Sequence, residues 1–241
     1  MTSQPTVFLN PTDDKGDTMK ATQQLHDLGQ SIWLDNITRD LLTSGTLKRY
    51  IDELSVTGLT SNPTIFDHAI KNSTSYDAAI REKLKEGKSG EGLFFELALD
   101  DLTRAADLFR PIYDRTNGVD GRVSLEVSPL LAHDTASTLA ATKDLHTRAG
   151  RPNLLIKIPG TKEGLPAIEE AIFAGVSINV TLLFSREDYV AAAEAYLRGI
   201  ERRIARLRSL GVHQPVGRSS HGQDARRATR PARHRHRQAH L

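Results

Sequence analysis

The chain has 241 residues and no cysteine, which excludes disulfide bridges, cysteine-ligated zinc and a thiol nucleophile. Its length suits one sizeable domain, and no apolar run is long enough to predict a membrane span. The formal net charge of +2 is unevenly spread: residues 212–241 hold seven arginines and one acidic residue, and the remainder has 25 basic and 29 acidic residues.

Strands and helices are predicted to alternate along most of the chain. Residues 1–18 are polar and rich in turn formers, and we predict a disordered leader or an upstream start codon chosen in error, since Met19 is the only other methionine. Strands are predicted at 31–36, 57–62, 121–129, 153–160 and 176–184. Helices are predicted at 38–53, 63–70, 75–87, 93–116, 133–150, 161–175 and 185–211, with a kink or an end near Pro111.

This alternation is typical of βαβ units and a parallel sheet. Two α/β folds fit it, the doubly wound sheet and the closed (β/α)₈ barrel. No G-x-G-x-x-G motif follows any predicted strand, which weakens the dinucleotide-binding interpretation of the first fold.

Residues 212–241 lack the apolar pattern of the preceding chain. They contain almost no large apolar residue and no periodicity, so they cannot bury enough surface to fold. Two interpretations remain, a solvated basic tail and a reading-frame error, and the Arg, Ala, Pro, Gly and His enrichment favours the second. We therefore predict one domain over residues 19–211.

A lysine in the middle of an apolar strand raises the functional question. Lys157 lies within "NLLIKIPG", where a buried ammonium is costly unless it is paired or neutral. Desolvation lowers the pKa of a lysine, and a neutral amine is a nucleophile. The alternative is a lysine that points outward or ends the strand in a salt bridge.

Every predicted strand carries a polar residue near its carboxyl end, where parallel barrels place their reacting groups. Together these residues suit class I aldol chemistry. A lysine forms an imine with a ketone, a carboxylic acid assists through a water held by a hydroxyl, a second carboxylate serves as base for carbon–carbon cleavage, and amides bind sugar hydroxyls. The candidates are Lys157, Glu126, Thr181 and Asp35 for catalysis, and Asn62, Asn179 and Thr60 for substrate binding.

Five stretches of the chain resemble the transaldolase family: "SIWLDN", "GLTSNPTIF", "GRVSLEVSPLLAHDT", "NLLIKIPGTKEGL" and "GVSINVTLLFS". The resemblance covers about residues 20–205. It implies a (β/α)₈ barrel and a Schiff base on Lys157. It also implies the roles given above for Asp35, Glu126, Thr181, Asn62 and Asn179. The implied reaction transfers a dihydroxyacetone unit from sedoheptulose 7-phosphate to glyceraldehyde 3-phosphate, with no metal or cofactor. A cytoplasmic location is expected from the sequence itself, which shows no signal-peptide pattern and no predicted membrane span.

The chain departs from this family after its fifth strand. Family members continue for three more strands, of which the sixth carries a serine and an arginine that help to bind the substrate phosphate. No equivalent is found here, so about five of eight βα units are predicted and impaired transfer is expected. The alternatives are a non-catalytic fragment whose basic tail binds polyanions weakly, and another Schiff-base aldolase on the same barrel. We expect phosphorylated sugars as ligands, and neither a specific nucleic acid nor a membrane as a partner.

Overall fold

The computed structural model describes residues 20–209. Within this range five strands form one parallel sheet, and each strand pairs with the next along the chain. The strands are β1 (Ile32–Asp35), β2 (Val56–Thr60), β3 (Arg122–Glu126), β4 (Leu154–Pro159) and β5 (Ile178–Thr181).

Helices follow each of the five strands, so the predicted α/β fold with five βα units is confirmed. They are α1 (Ala21–Asp27), α2 (Arg39–Thr43), α3 (Thr46–Leu54), α4 (Pro63–Lys71), α5 (Asp77–Lys85), α6 (Gly90–Arg115), α7 (Thr135–Ala149), α8 (Gly164–Ala174) and α9 (Arg186–Ser209), with short 3-10 turns at Thr74–Tyr76 and Pro129–Leu131. No helix in residues 20–209 has the length and apolar character needed to cross a membrane.

The chain divides into two compact units, Met1–Arg203 and Ile204–Leu241, and all five strands belong to the first. Of the second unit the structure describes only residues 204–209. The predicted leader (1–18) and basic tail (212–241) lie outside the described residues, and the domain limits of 19 and 211 stay predictions.

The hydrophobic core lies between one face of the sheet and the helices. Successive side chains of a strand point to opposite faces, and the apolar set of β3 and β4 packs with helical residues of α6 and α8 in one buried cluster. This cluster includes Val123, Leu125, Ile156, Ile158, Phe109 and Ile168. Burial of this apolar face orients the opposite face, which carries the polar residues, away from the helices.

Helix α6 does not end at Pro111, where the sequence predicted a kink or an end. It continues to Arg115, although an interior proline removes one backbone hydrogen bond and costs about 3 kcal/mol. Phe109 and Ile112 on either side of Pro111 are both buried. Packing of this last stretch against the core therefore outweighs the local cost of the proline.

Candidate active site at the carboxyl ends of the strands

A cavity of about 1100 Å³ opens at the carboxyl ends of the strands. All seven residues that the sequence singled out line it, so the sheet brings together side chains up to 146 positions apart in the chain. They are Asp35, Thr60, Asn62, Glu126, Lys157, Asn179 and Thr181. The strands that provide them run parallel, which places their carboxyl ends along the same edge of the sheet.

Lys157 is the most buried charged group of this cavity. It lies in the middle of β4 with 9% of its surface exposed. Its Nζ atom donates to the Ser61 carbonyl oxygen at 3.0 Å and lies 3.0 Å from Glu126 Oε2. The cost of burying an ammonium group is thus offset by a carboxylate and a carbonyl acceptor. Lys157 therefore neither points outward nor ends the strand. It does form a salt bridge, with Glu126, as the alternative interpretation allowed.

The register of the sheet explains why Glu126 and Lys157 meet. Glu126 pairs with Lys157 across β3 and β4, and Lys157 pairs with Asn179 across β4 and β5. Residues opposite each other on neighbouring strands project from the same face. The carboxylate, the amine and the amide therefore form one row across three strands.

Hydrogen bonds to neighbouring residues hold the Asn179 side chain and the end of β5 in place. Asn179 Nδ2 donates to the hydroxyl of Ser124, which is fully buried on β3. Thr181 lies at the end of β5, and its backbone carbonyl accepts a hydrogen bond from the Gly160 amide at 2.8 Å. Its side chain lines the cavity.

Asn62 has a structural role as well as a place in the cavity. Its backbone is extended (φ −142°, ψ 163°), and its Oδ1 atom accepts a hydrogen bond from the Ile65 amide at 3.0 Å. This contact caps the amino end of α4, with Pro63 in the first turn. The donor side of the same amide is the part suited to a ligand in the cavity.

Asp35 and Thr60 form the other end of the site. The two residues pair across β1 and β2, at the carboxyl end of each strand. Asp35 is exposed and Thr60 is half-buried. Lower on the same face, the indole of Trp33 lies against Gly58, where a Cβ atom would come within 2.5 Å of the ring.

The cavity has a second wall that the sequence did not predict. It consists of residues that follow β1 and residues at the end of α4, namely Thr38, Asp40, His68, Asn72 and Ser73. Asp40 accepts hydrogen bonds from the Ser73 and Ser75 hydroxyls, which join the two segments. The sequence did not indicate the Ser61 carbonyl, since a backbone acceptor has no signature in the sequence. The Ser124 hydroxyl on β3 was also not predicted.

The charge of the cavity is acidic in the part of the chain that the structure describes. Asp35, Asp40 and Glu126 line it, and Lys157 is the one lysine or arginine that does so. Within residues 20–209 no three His, Cys, Asp or Glu side chains are grouped as metal ligands would be. The arrangement suits a reaction in which an amine and a carboxylate act on a neutral polar ligand.

Comparison with known proteins gives a consistent result. Residues 32–219 match the family model of transaldolase/fructose-6-phosphate aldolase. The chain is 45% identical over 182 residues to transaldolase 2 of Nostoc punctiforme, which is 76% of this chain and 48% of that protein. It is 49% identical over 180 residues to a transaldolase of an Arthrobacter species (75% and 48%) and 50% identical over 179 residues to that of Saccharopolyspora erythraea (74% and 48%). The chain thus spans about half the length of these curated relatives.

Proposed function

Because the chain belongs to the transaldolase/fructose-6-phosphate aldolase family, as its sequence motifs predicted, we propose that its cavity performs class I aldol chemistry. The proposed reaction is the transfer of a dihydroxyacetone unit from sedoheptulose 7-phosphate to glyceraldehyde 3-phosphate. The observation that carries the proposal is the buried contact of 3.0 Å between Lys157 Nζ and Glu126 Oε2. A nucleophile next to its base within hydrogen-bond reach is the arrangement that covalent catalysis requires.

The first step is formation of the imine. A proton passes from the Lys157 ammonium group to the Glu126 carboxylate, which leaves a neutral amine to attack the ketone carbon. Glu126 then returns a proton to the carbinolamine hydroxyl, and water departs as the iminium forms. We assign Thr181 to hold the water through which Glu126 acts, since both residues line the same cavity.

The second step breaks the carbon–carbon bond. Asp35 accepts the proton of the hydroxyl on the departing carbon, an aldehyde leaves, and the bonding electron pair moves into the iminium to give an enamine. The enamine then attacks the acceptor aldehyde, Asp35 returns the proton, and hydrolysis of the new iminium frees Lys157. We assign Asn62, Asn179 and Thr60 to the hydroxyl groups of the bound sugar, because neutral polar side chains bind hydroxyls without adding charge.

The imine is testable on this chain directly. We expect dihydroxyacetone followed by borohydride to leave a reduced three-carbon adduct on Lys157, detected by peptide mass mapping. The groups for this step all lie within residues 20–209, so the adduct is expected even where the complete transfer is slow. Lys157→Met should abolish the adduct, and Glu126→Gln should slow it by roughly 10²–10⁴-fold.

Lys162 provides the matched control. It is an exposed lysine only five residues away, and Lys162→Met should leave the adduct unchanged. An adduct carried by Lys162, or an equal rate in the Glu126→Gln variant, would contradict the assignment. Phosphorylated sugar ligands and a cytoplasmic location are part of the same proposal. The alternative of a polyanion-binding tail concerns residues outside those described.

A further inference from the structure

A closed group of hydrogen bonds lies behind the segment that follows Asp35. The backbone amide of Arg39 donates to the Tyr76 hydroxyl at 2.9 Å, and this hydroxyl donates to Asp101 Oδ2 at 2.8 Å. Asp101 Oδ1 accepts from Arg39 Nε at 2.9 Å, which closes the ring. Arg39 also contacts Asp100 at 2.7 Å and lies over the Tyr76 ring, 4.7 Å from its centroid.

These groups are buried. Tyr76 and Asp101 have no exposed surface and Arg39 has 8%. Burial is the largest effect on the Asp101 carboxyl and raises its pKa above the ordinary value of 3.8, although the Tyr76 hydrogen bond and the Arg39 charge act in the opposite direction. Replacing such a buried ion pair by apolar residues is often neutral or stabilising, so stability alone is a weak reason for its presence. Its position suggests a second role.

The cluster joins the cavity to helix α6. Asp35 is the last residue of β1, and within residues 20–209 this strand pairs on one side only, with β2. The next five residues leave the sheet, and Asn36, Thr38 and Asp40 among them line the cavity. Of this segment only Ile37 and Arg39 are buried. Arg39 is therefore the buried polar residue whose hydrogen bonds hold residues 36–40, the segment that follows β1, in one position.

We propose that Arg39, Tyr76 and Asp101 form a positioning cluster that fixes Asp35 for carbon–carbon cleavage. The inference rests on the proposed function, in which Asp35 is the base of that step. The three residues do not touch the substrate; they act through the backbone of residues 36–40. Lys157 and Glu126 lie on the central strands β4 and β3, so imine formation does not depend on the cluster.

This division predicts which step fails when the cluster is weakened. With fructose 6-phosphate, borohydride reduces the six-carbon imine before cleavage and the three-carbon imine after it. Tyr76→Phe removes only the hydroxyl of the ring. We expect the ratio of three-carbon to six-carbon adduct to fall roughly 10- to 100-fold, because a small misplacement of a reacting group costs that much. The rate of adduct formation with dihydroxyacetone, which requires no cleavage, should be unchanged.

A structural readout accompanies the chemical one. Hydrogen exchange of the amides in residues 36–41 should accelerate in Tyr76→Phe, since the Arg39 amide loses its acceptor, while exchange in β3 and β4 stays as in the wild type. Tyr113→Phe is the matched control, because Tyr113 lies on α6 against Arg122 and outside the cluster. It should change neither readout. Asp101→Asn keeps the shape of the side chain but removes the charge that pairs with Arg39, so it should lower the adduct ratio as Tyr76→Phe does.

The outcomes separate the two proposals. Absence of any adduct on the wild-type chain would reject the proposed function, whatever the exchange data show. Unchanged exchange in residues 36–41 of Tyr76→Phe would reject the positioning cluster and leave the proposed function intact. A parallel loss of adduct with both ketones would mean a general loss of structure and would also reject the cluster. In support, Asp35→Asn should shift the adduct ratio, and adding Tyr76→Phe to it should have no further effect.

Discussion

Asn62 combines two roles that substitutions can separate. Its Oδ1 atom caps α4 through the Ile65 amide at 3.0 Å, and its side chain lines the cavity. Asn62→Ala removes the cap, so we expect a loss of about 1 kcal/mol of unfolding free energy and a melting temperature lower by about 2–4 °C. Asn62→Asp keeps an oxygen acceptor at a helix amino end that favours negative charge, so its stability should match the wild type.

The effect on the reaction should follow a different order. Both variants lack the amide donor, and the loss of one ordinary hydrogen bond of about 0.5–1.5 kcal/mol corresponds to a roughly 2- to 10-fold slower adduct formation at low ketone concentration. The aspartate should be the slower variant, because it adds a carboxylate to a cavity already lined by Asp35 and Glu126. Thermal unfolding and borohydride trapping at Lys157 measure the two effects separately.

A cap elsewhere in the chain serves as the control. Asp134 caps α7 by accepting from the Ser137 amide at 3.0 Å, and it does not line the cavity. Asp134→Ala should therefore lose about 1 kcal/mol of stability and trap the ketone at the wild-type rate. If Asn62→Asp traps the ketone as fast as the wild type, the amide donor has no part in binding. If it unfolds as early as Asn62→Ala, the capping argument is wrong.

Two further predictions concern packing and pH. Gly58→Ala would bring a Cβ atom within 2.5 Å of the Trp33 indole, so we expect the free energy of unfolding, measured by chemical denaturation, to fall by about 1–3 kcal/mol. Gly92→Ala adds a methyl group in open space and should be neutral or stabilising. Equal stability of the two variants would contradict the contact. Hydrogen bonds from Arg198 and Arg202 lower the pKa of Glu169 from its ordinary value of 4.5. The stability that Glu169 adds over Glu169→Gln should therefore be fully present above pH 4.5 and disappear as the pH falls through the lower folded-state pKa; a difference that persists in stronger acid would refute the ion pair as its cause.

The order of the elements could be predicted from the sequence because the spacing of apolar residues and the residues that begin and end each element are local signals. Alternation of apolar runs with helical spacing gave five strands and the helices between them, and the polar residue in each strand indicated one edge of the sheet. Lys157 was the clearest of these signals, since a charge within an apolar run has few explanations. The roles were proposed from class I aldol chemistry, and the family resemblance implies the catalytic ones as well. The structure supports them only by placing the residues together.

The remaining contacts could not be predicted, for a physical reason in each case. The acceptor opposite Lys157 is the Ser61 carbonyl, and every residue has a carbonyl, so no residue type marks it. Arg39 and Asp101 lie 62 positions apart in the chain, and they can form their hydrogen bond because α2 packs against α6. The helix predicted over residues 93–116 does end close to 116, at Arg115. Whether it would pass through Pro111 could not be predicted, because that depends on the tertiary burial of Ile112. Sequence patterns therefore predicted the polar side chains that line the cavity better than the groups that contact them.

The charge of the cavity bears on how a phosphorylated ketose would lie in it. Three carboxylates and one amine line the described part, so a phosphate group close to Asp35 or Asp40 would be repelled. In the proposed reaction, the carbonyl carbon that Lys157 would attack lies towards the opposite end of the sugar from its phosphate. The acidic wall therefore favours the orientation in which the neutral hydroxyl groups face Asp35 and the phosphate points away from it. Within residues 20–209, Lys157 is the one lysine or arginine that lines the cavity, so the described lining provides no second cation to neutralise the phosphate. A ketose without a phosphate should accordingly form the Lys157 adduct with this chain at least as readily as its phosphorylated counterpart.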